Sequence, residues 1–320
     1  MLTRQTVIWT ARETTYGTDP AMTGTNGILA WDINLDLKGE QLIRDVLRDT
    51  LSPISHVIGM KEAELTFKTE VKGIGAAPGT AANLAVYDFD RLISGCSFNT
   101  GVINGTSITY SLVSTDSTMN SLSFYVHVGD SSAGNRHKIT GARGTVTFNL
   151  SAGKYGEASW KFNGLYNSVI AATLPGLTNI SALQPPIVYN SSFQIAGFSP
   201  VCQEAEIDLG INVTRRESLN ATQGVHSFRI VGRKPALKFD SDAVVESSNP
   251  FWGDWEGGIV DTFGITIGTN AQNRMDFTGY FEYIQPKYGD DEGVRKYDCE
   301  AAIISSNATS GNDEISIKVW

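Results

Sequence analysis

Several stretches of the chain alternate apolar and polar residues with a period of two, which is the pattern of a strand with one buried face. The clearest stretches are residues 31–38, 62–71 and 204–213. Shorter runs of strand character lie at residues 106–113, 121–128, 144–150, 159–162, 228–231, 236–239, 262–267, 277–284, 298–304 and 314–319. The pattern predicts a protein built mainly from β-strands.

One segment, residues 82–94, has helical spacing instead. Ala85, Phe89, Leu92 and Ile93 share a face that continues to Cys96. Gly95 follows at the position expected of a helix C-terminal cap. The predicted fold is therefore mainly β, with one α-helix docked on the strands.

The second half of the chain partly repeats the first. A shift of 172 positions carries Leu65 to Leu237 and Phe67 to Phe239. A shift of 138 positions carries the Asn-Arg pair at residue 135 to a second Asn-Arg pair. Because these matches keep the same order, they indicate a tandem duplication. The prediction is two β-sandwich domains, residues 1–170 and 200–320, joined by a linker at residues 171–199 that holds Pro-Gly and Pro-Pro dipeptides.

The connection at residues 39–58 is too long for an ordinary hairpin loop, which has two to about five residues. It is also too apolar to stay in water, since it contains Leu42, Ile43, Val46, Leu47, Leu51 and Ile54. Two interpretations remain open. The segment is either an arm folded over its own domain or an arm that docks on a neighbouring subunit.

Composition and net charge exclude some classes of function. Of 320 residues, 18% are charged and 32 are glycine, whereas about 25% charged residues are typical, so the chain suits turn-rich β structure. The net charge of −9 argues against nucleic-acid binding as the primary activity. No apolar run has the length that a membrane span needs.

No enzyme signature emerges from the reactive residues. The four histidines match no metal-binding spacing, and there is neither a nucleophile elbow nor a phosphate-binding loop. The separated Cys96, Cys202 and Cys299 are predicted to be buried structural thiols, and His127 a hydrogen-bonded structural histidine. We therefore expect no catalytic residue, no metal and no cofactor.

Several segments in order resemble the bacteriophage tail tube (major tail) protein family. They are ETTYGTDP at residues 13–20, ELTFKTEVKGIG at 64–75, GARGTVTFNLSAGKYGE at 141–157 and FNG at 162–164. The predicted helix and Cys96 fit the same pattern. Beyond residue 200 the likeness is looser and rests on a strand-loop-strand pattern.

The resemblance implies β-sandwiches whose hairpins join those of neighbouring subunits into an inner barrel, with rings of subunits stacked into a hollow tube. The duplication then implies a ring of three chains with pseudo-six-fold symmetry. The polar positions of the alternating strands become the candidate channel lining: Asp32, Asn34, Asp36, Glu62, Glu64, Lys68, Glu70, Glu206, Asp208, Asn212, Lys238, Asp240 and Asp242. The candidate contact between rings comprises Leu42, Ile43, Arg44, Val46, Leu47, Leu51 and Ile54.

The resemblance also implies partners and a location. The chain would associate with itself and with tape-measure, tail terminator and baseplate or tip proteins, in a virion tail assembled in the host cytoplasm. DNA would pass through an acidic channel without specific binding, and no membrane is involved. Two alternatives remain: a carbohydrate-binding or glycan-cleaving sandwich that uses Trp252 and Trp255, and another phage shell component such as a head-decoration protein.

Overall fold

The computed structural model describes residues 2, 4–75, 87–178, 181–309 and 311–320. Among these residues, the first half contains ten strands: β1 (Thr6–Arg12), β2 (Gly27–Ile28), β3 (Trp31–Leu42), β4 (Val57–Glu70), β5 (Val102–Asn104), β6 (Ser107–Ser111), β7 (Leu122–Gly129), β8 (Gly134–Ser151), β9 (Glu157–Tyr166) and β10 (Ile170–Ala171). Helix α1 (Asp88–Ser94) follows β4. The fold is mainly β, as the alternation predicts.

The second half contains ten more strands among the described residues: β11 (Ser192–Ile195), β12 (Glu204–Asp208), β13 (Ile211–Glu217), β14 (Val225–Arg233), β15 (Ala236–Asp242), β16 (Asp261–Asn270), β17 (Asn273–Tyr283), β18 (Lys287–Asp291), β19 (Val294–Ile304) and β20 (Ile315–Val319). Helix α2 (Phe251–Gly257) follows β15. All strand pairs in the described part of the chain are antiparallel, so neighbouring strands run in opposite directions.

The same order of pairing occurs in both halves. In the first, hydrogen-bonded neighbours run β1-β7-β8-β9-β4-β3. In the second, they run β11-β16-β17-β19-β15-β12. A short helix follows β4 in one half and β15 in the other. The halves share one sheet, because β12 pairs with β8 and β20 pairs with β6.

One apolar core lies between two layers of strands and extends through both halves. Phe124 packs on Phe162, and Phe148 packs on Phe277 from the second half, each with ring centroids 4.8 Å apart. Helix α1 adds Phe89, Leu92 and other buried side chains to this core. The Phe148–Phe277 contact thus joins the two halves, together with the β8–β12 and β6–β20 strand pairs.

The structure corrects the predicted elements at several points. Helix α1 begins at Asp88, whereas the segment 82–86 of the predicted helix lies outside the described residues. Helix α2 was not predicted, because seven residues, two of them glycine, are too short to establish a helical period. The connection predicted at residues 39–58 is shorter, since β3 and β4 extend into it and leave residues 43–56 as the loop.

The predicted strand at residues 204–213 is broken at Gly210, which separates β12 from β13. Gly210 has φ of +53°, and a Cβ there would lie 2.1 Å from the carbonyl oxygen of Lys234. Only glycine accommodates this left-handed turn next to another backbone. The chain beyond it forms a separate two-stranded ribbon of β13 and β14, which packs on β8, β9 and β4.

Two side-chain predictions were also wrong. Cys96 and Cys299 are buried, but Cys202 is only half-buried. His127 is buried as expected, yet neither ring nitrogen has a hydrogen-bond partner among the described residues. Its ring instead packs on Trp9, with centroids 5.0 Å apart, and on Tyr125. Aromatic packing, which sequence spacing does not show, holds this histidine in place.

Candidate functional site: a polar sheet face and an exposed arm

Eight of the strands form a continuous antiparallel run in the order β3-β4-β9-β8-β12-β15-β19-β18. Within the described residues, β3 pairs only with β4, and β18 pairs only with β19. The run therefore has two free strand edges. Since it has an even number of strands, β3 and β18 run in opposite directions.

The pairing register places polar side chains from all eight strands on one face. Asp36 lies opposite Glu64, which lies opposite Asn163, and Glu206 lies between Asn149 and Lys238. Residues of the other parity, such as Leu65, Phe162, Ile207 and Leu237, are buried. We call the first set the polar face.

Most of the predicted channel-lining residues lie on the polar face. β3 and β4 contribute Asp32, Asn34, Asp36, Glu62, Glu64, Lys68 and Glu70, and β12 and β15 contribute Glu206, Asp208, Lys238, Asp240 and Asp242. Asn212 does not belong to this set, because it lies on the β13–β14 ribbon, where it pairs with Gly232. The break at Gly210 removes it from the sheet.

The polar face also includes residues that the sequence analysis missed, because four of its strands were not paired with the candidate hairpins. These are Asn149, Glu157, Lys161, Lys287, Asp291, Lys296, Asp298 and Glu300, from β8, β9, β18 and β19. The alternation of apolar and polar residues at 144–150 was the sequence pattern that could have placed β8 on this face. With Glu204 and Lys38 added, the residues named here comprise 14 acidic and six basic side chains, a net charge of −8. Arg143, which the register also places on this face opposite Asn163, is buried in an ion pair with Asp116.

The basic side chains of the polar face lie between acidic ones. Lys38 and Lys161 contact opposite oxygens of Glu64 at 2.8 and 3.2 Å. Lys296 lies 2.8 Å from both Asp240 and Asp291. The hydrogen bond from Lys38 holds the pKa of Glu64 below its usual value against the opposing effect of burial. Because five of the six lysines (Lys38, Lys68, Lys161, Lys238 and Lys296) are paired with carboxylates of the face, the surplus carboxylates determine the charge that the face presents.

The predicted arm projects from one end of this sheet. The pairing of β9 with β4 ends at Glu62. The pairing of β3 with β4 continues for five more residues of β4, to the pair Leu42–Val57. At about 3.3 Å per residue, the hairpin extends about 17 Å past β9. The loop at residues 43–56 lies beyond that.

The arm keeps its apolar side chains in solvent. Leu47 and Leu51 are fully exposed, Ile43 is 85% exposed, and Leu42 and Val46 are about half exposed. Arg44 is exposed, and Ile54 is half-buried. Of the two interpretations left open by composition, an arm folded over its own domain is therefore wrong for this chain.

The ETTYG segment has a structural role beside the face. The Glu13 carboxylate is buried and accepts hydrogen bonds from the hydroxyls of Ser121 and Ser123 and from the backbone N–H groups of Gly17 and Gly141, all at 2.6–2.7 Å.

The Tyr16 hydroxyl donates to the carbonyl of Gly141 at 2.9 Å and accepts from the N–H of Phe228 at 2.7 Å. Burial raises the pKa of Tyr16 to about 12, so the hydroxyl stays protonated and donates. This residue joins the start of the chain to the β13–β14 ribbon.

Within the described ranges, no three His, Cys, Asp or Glu side chains are placed to hold a metal ion. Neither α-helix of the described chain is long and apolar enough to cross a membrane. Trp252 and Trp255 are half-buried and pack on each other, and Trp252 also packs on Tyr288 with centroids 5.4 Å apart.

Comparison with known proteins identifies the family. No curated protein matches the sequence. A family model described as "Phage tail tube protein" matches residues 3–245, well over half of the chain, and includes the ETTYG segment, the arm and the first six strands of the polar face. The chain therefore belongs to the phage tail tube protein family.

Proposed function

We propose that the chain polymerises as stacked rings of three copies into the tail tube of a phage, with the polar face lining the channel and the arm contacting the next ring. The observation that carries this proposal is the eight-stranded run, which has an acidic face and a free strand at each side. An open edge of this length invites pairing with another chain. In a ring, the neighbouring copy provides that pairing.

The direction of the edge strands supports closure. Rotation about the tube axis leaves strand direction unchanged, so β18 of one copy would meet β3 of the next. Because these strands run in opposite directions, the junction is antiparallel, as are all the pairs within the chain. The ring would thus close into one barrel without a break in its pattern.

Barrel size favours three copies, which would contribute 24 strands. At a spacing of about 4.8 Å and a tilt of about 40°, these strands close at a backbone diameter of about 48 Å, or about 38 Å between side chains. Two copies would leave about 22 Å, too narrow for a duplex with its water and counterions. Four copies would give a diameter of about 54 Å between side chains, which is much wider than the duplex.

A tandem duplication accounts for three copies instead of six. We assign residues 1–170 and 200–320 to two tail-tube-like domains and residues 171–199 to their linker. The repeated order of strands supports this assignment, as does the shift of 138 positions, which places the first residue of β17, Asn273, on the second residue of β8, Asn135. Each chain would then supply two similar hairpins to a pseudo-six-fold ring.

The acidic channel would let DNA slide. The polar face has a net charge of −8 per copy, so phosphates entering the tube would be repelled from its wall. A channel with the opposite charge would retain DNA through release of counterions. Passage without specific binding therefore follows from the charge of the face, and the chain has no catalytic role and no cofactor in this function.

The arm would propagate the tube. A ring placed on an identical ring forms a heterologous contact that does not close, so stacking continues as a filament. The ends of the tube would contact other tail proteins, namely the tape-measure, tail terminator and baseplate or tip proteins. Assembly would take place in the host cytoplasm, before the tail becomes part of the virion.

Electron microscopy of the purified protein at rising concentration tests the assignment. We expect rings and then hollow tubes as the concentration increases. Compact particles of one size at every concentration, together with binding to a glycan array, would instead favour the carbohydrate-binding alternative.

Charge reversal tests the channel. Phage carrying Asp36→Lys and Glu206→Lys should assemble tails of normal length but release their DNA more slowly, because the net charge of the polar face becomes four units more positive in each copy. The matched control carries Asp254→Lys and Glu256→Lys on α2, away from that face. Equal release rates in the two phages would contradict the proposed channel lining.

A further inference from the structure

The end of the sheet opposite the arm carries its own set of exposed apolar side chains. At this end lie the β8–β9 turn, the β18–β19 turn and the segments before β12 and after β15, held together by backbone hydrogen bonds from Ala152 to Gln203, from Asp242 to Val201 and from Ala243 to Arg295. The exposed apolar residues here are Tyr155, Ile187, Tyr189, Val201, Val245 and Val294, each between 43% and 69% exposed. We call this set the rim.

Single exposed apolar side chains are ordinary, but several at one end of a sheet mark a contact surface. The segments that carry the rim are ordered by pairing with one another. Tyr155 forms a bridge with Ile187, and Trp31 packs edge-on against Tyr155 with centroids 6.1 Å apart. The rim is therefore a preformed surface, and it lies on the same sheet as the arm, at the opposite end.

We propose that the rim is the docking site for the arm of a second copy in the adjacent ring, an inference that rests on the proposed stacking of rings. A ring stacked on an identical ring brings the arm end of one sheet against the rim end of the next. Ile43, Leu47 and Leu51 would then leave solvent by packing on the rim. Both surfaces are apolar, and each occurs once per copy, so every arm has one rim.

The balance of charges in the loop of the arm supports a contact made by apolar side chains. The loop at residues 43–56 has two arginines, Arg44 and Arg48, and two aspartates, Asp45 and Asp49, so these charges cancel. A contact without net charge on one side is only weakly affected by salt, because screening acts on charged pairs. We therefore expect the rings to remain stacked in 0.5 M sodium chloride. If ion pairs held the arm on the rim, the rings would separate at that salt concentration.

Crosslinking between two singly substituted chains tests the assignment. Protein with Leu47→Cys is mixed with protein with Tyr189→Cys, assembled and treated with a short bismaleimide. The control mixture replaces the second partner by Asn104→Cys, an exposed position on β5 away from the rim. Wild-type chain mixed with Leu47→Cys measures the background from the native cysteines.

We expect covalent dimers from the rim mixture at tenfold or more above both controls. Tubes that form normally but give no more dimers with Tyr189→Cys than with Asn104→Cys would overturn the docking site and leave the proposed function intact. If the wild-type chain forms no rings or tubes, the proposed function fails, and this inference fails with it.

A second variant tests the rim without crosslinking. Tyr189→Asp with Val201→Asp should leave the unfolding temperature unchanged, since both side chains are mostly exposed, and should raise the concentration needed for tubes at least tenfold. Tubes at the wild-type concentration would contradict the inference. If this variant misfolds, the crosslinking comparison still tests whether the arm docks on the rim.

Discussion

The exposed apolar side chains of the arm lead to a quantitative prediction about assembly. Ile43, Leu47 and Leu51 are 85–106% exposed in the single chain, so their burial is available only through a contact with another copy. Burying a large aliphatic side chain contributes about 2 kcal/mol. Replacing all three by serine should therefore weaken each arm contact by about 6 kcal/mol, which corresponds to a more than ten-thousandfold weaker association at about 1.4 kcal/mol per factor of ten.

Sedimentation velocity at rising concentration, with electron microscopy of the same samples, measures this effect. The triple-serine variant should remain as single chains or isolated rings where the wild type forms tubes. Its unfolding temperature should match the wild type, because these side chains are not part of the core. The matched control places serine at Val102, Val169 and Ile170, which are also exposed but lie outside the arm and the rim.

Tubes of normal length at the wild-type concentration in the triple variant would refute the reasoning. They would show that the arm is not the contact between rings. A loss of assembly that the control variant shares would refute it too, since the effect would then follow from any loss of surface hydrophobicity.

Three further predictions concern buried groups in the first half. Glu13→Gln replaces an acceptor of four hydrogen bonds by an amide with only one oxygen, and should cost about 3 kcal/mol of unfolding free energy in urea titration; no change would contradict the buried network. Tyr16→Phe leaves the N–H of Phe228 without its partner, so hydrogen exchange at that amide should accelerate by about tenfold, and unaltered exchange would argue against the link. Burial lowers the pKa of His127 from 6.5 to about 4, so the unfolded chain binds this proton first and stability falls as the pH drops from 6.5 to 4. His127→Phe should flatten the dependence of unfolding free energy on pH in that window, and an unchanged slope would show that this histidine does not titrate as described.

Local patterns were enough to predict much of the fold. The alternation around Leu35 and Leu65 predicts which parity is buried, because one face of each strand must leave water while the other does not. It also places nearly all of the candidate channel residues on one face. Asn212 was misplaced because the turn at Gly210 depends on contact with the backbone of Lys234, which is distant in the chain.

The rest depended on pairing between distant segments. Strand β8 is 18 residues long, but Gly141 and Gly144 interrupt its alternation, so only its second part was predicted. The pairing of β8 with β12, which joins the two hairpins into one face, has no local signal. The rim also escaped prediction, because its residues come from five separate loops and strand ends.

The rotational symmetry of end-on views of assembled tubes, combined with the mass per ring from scanning transmission electron microscopy, tests the central claim most directly. The account predicts three copies of the chain per ring, six similar outer lobes and a single inner wall built from 24 strands. Rings of six copies, or an inner wall in which β3 and β18 of neighbouring copies do not meet, would contradict it.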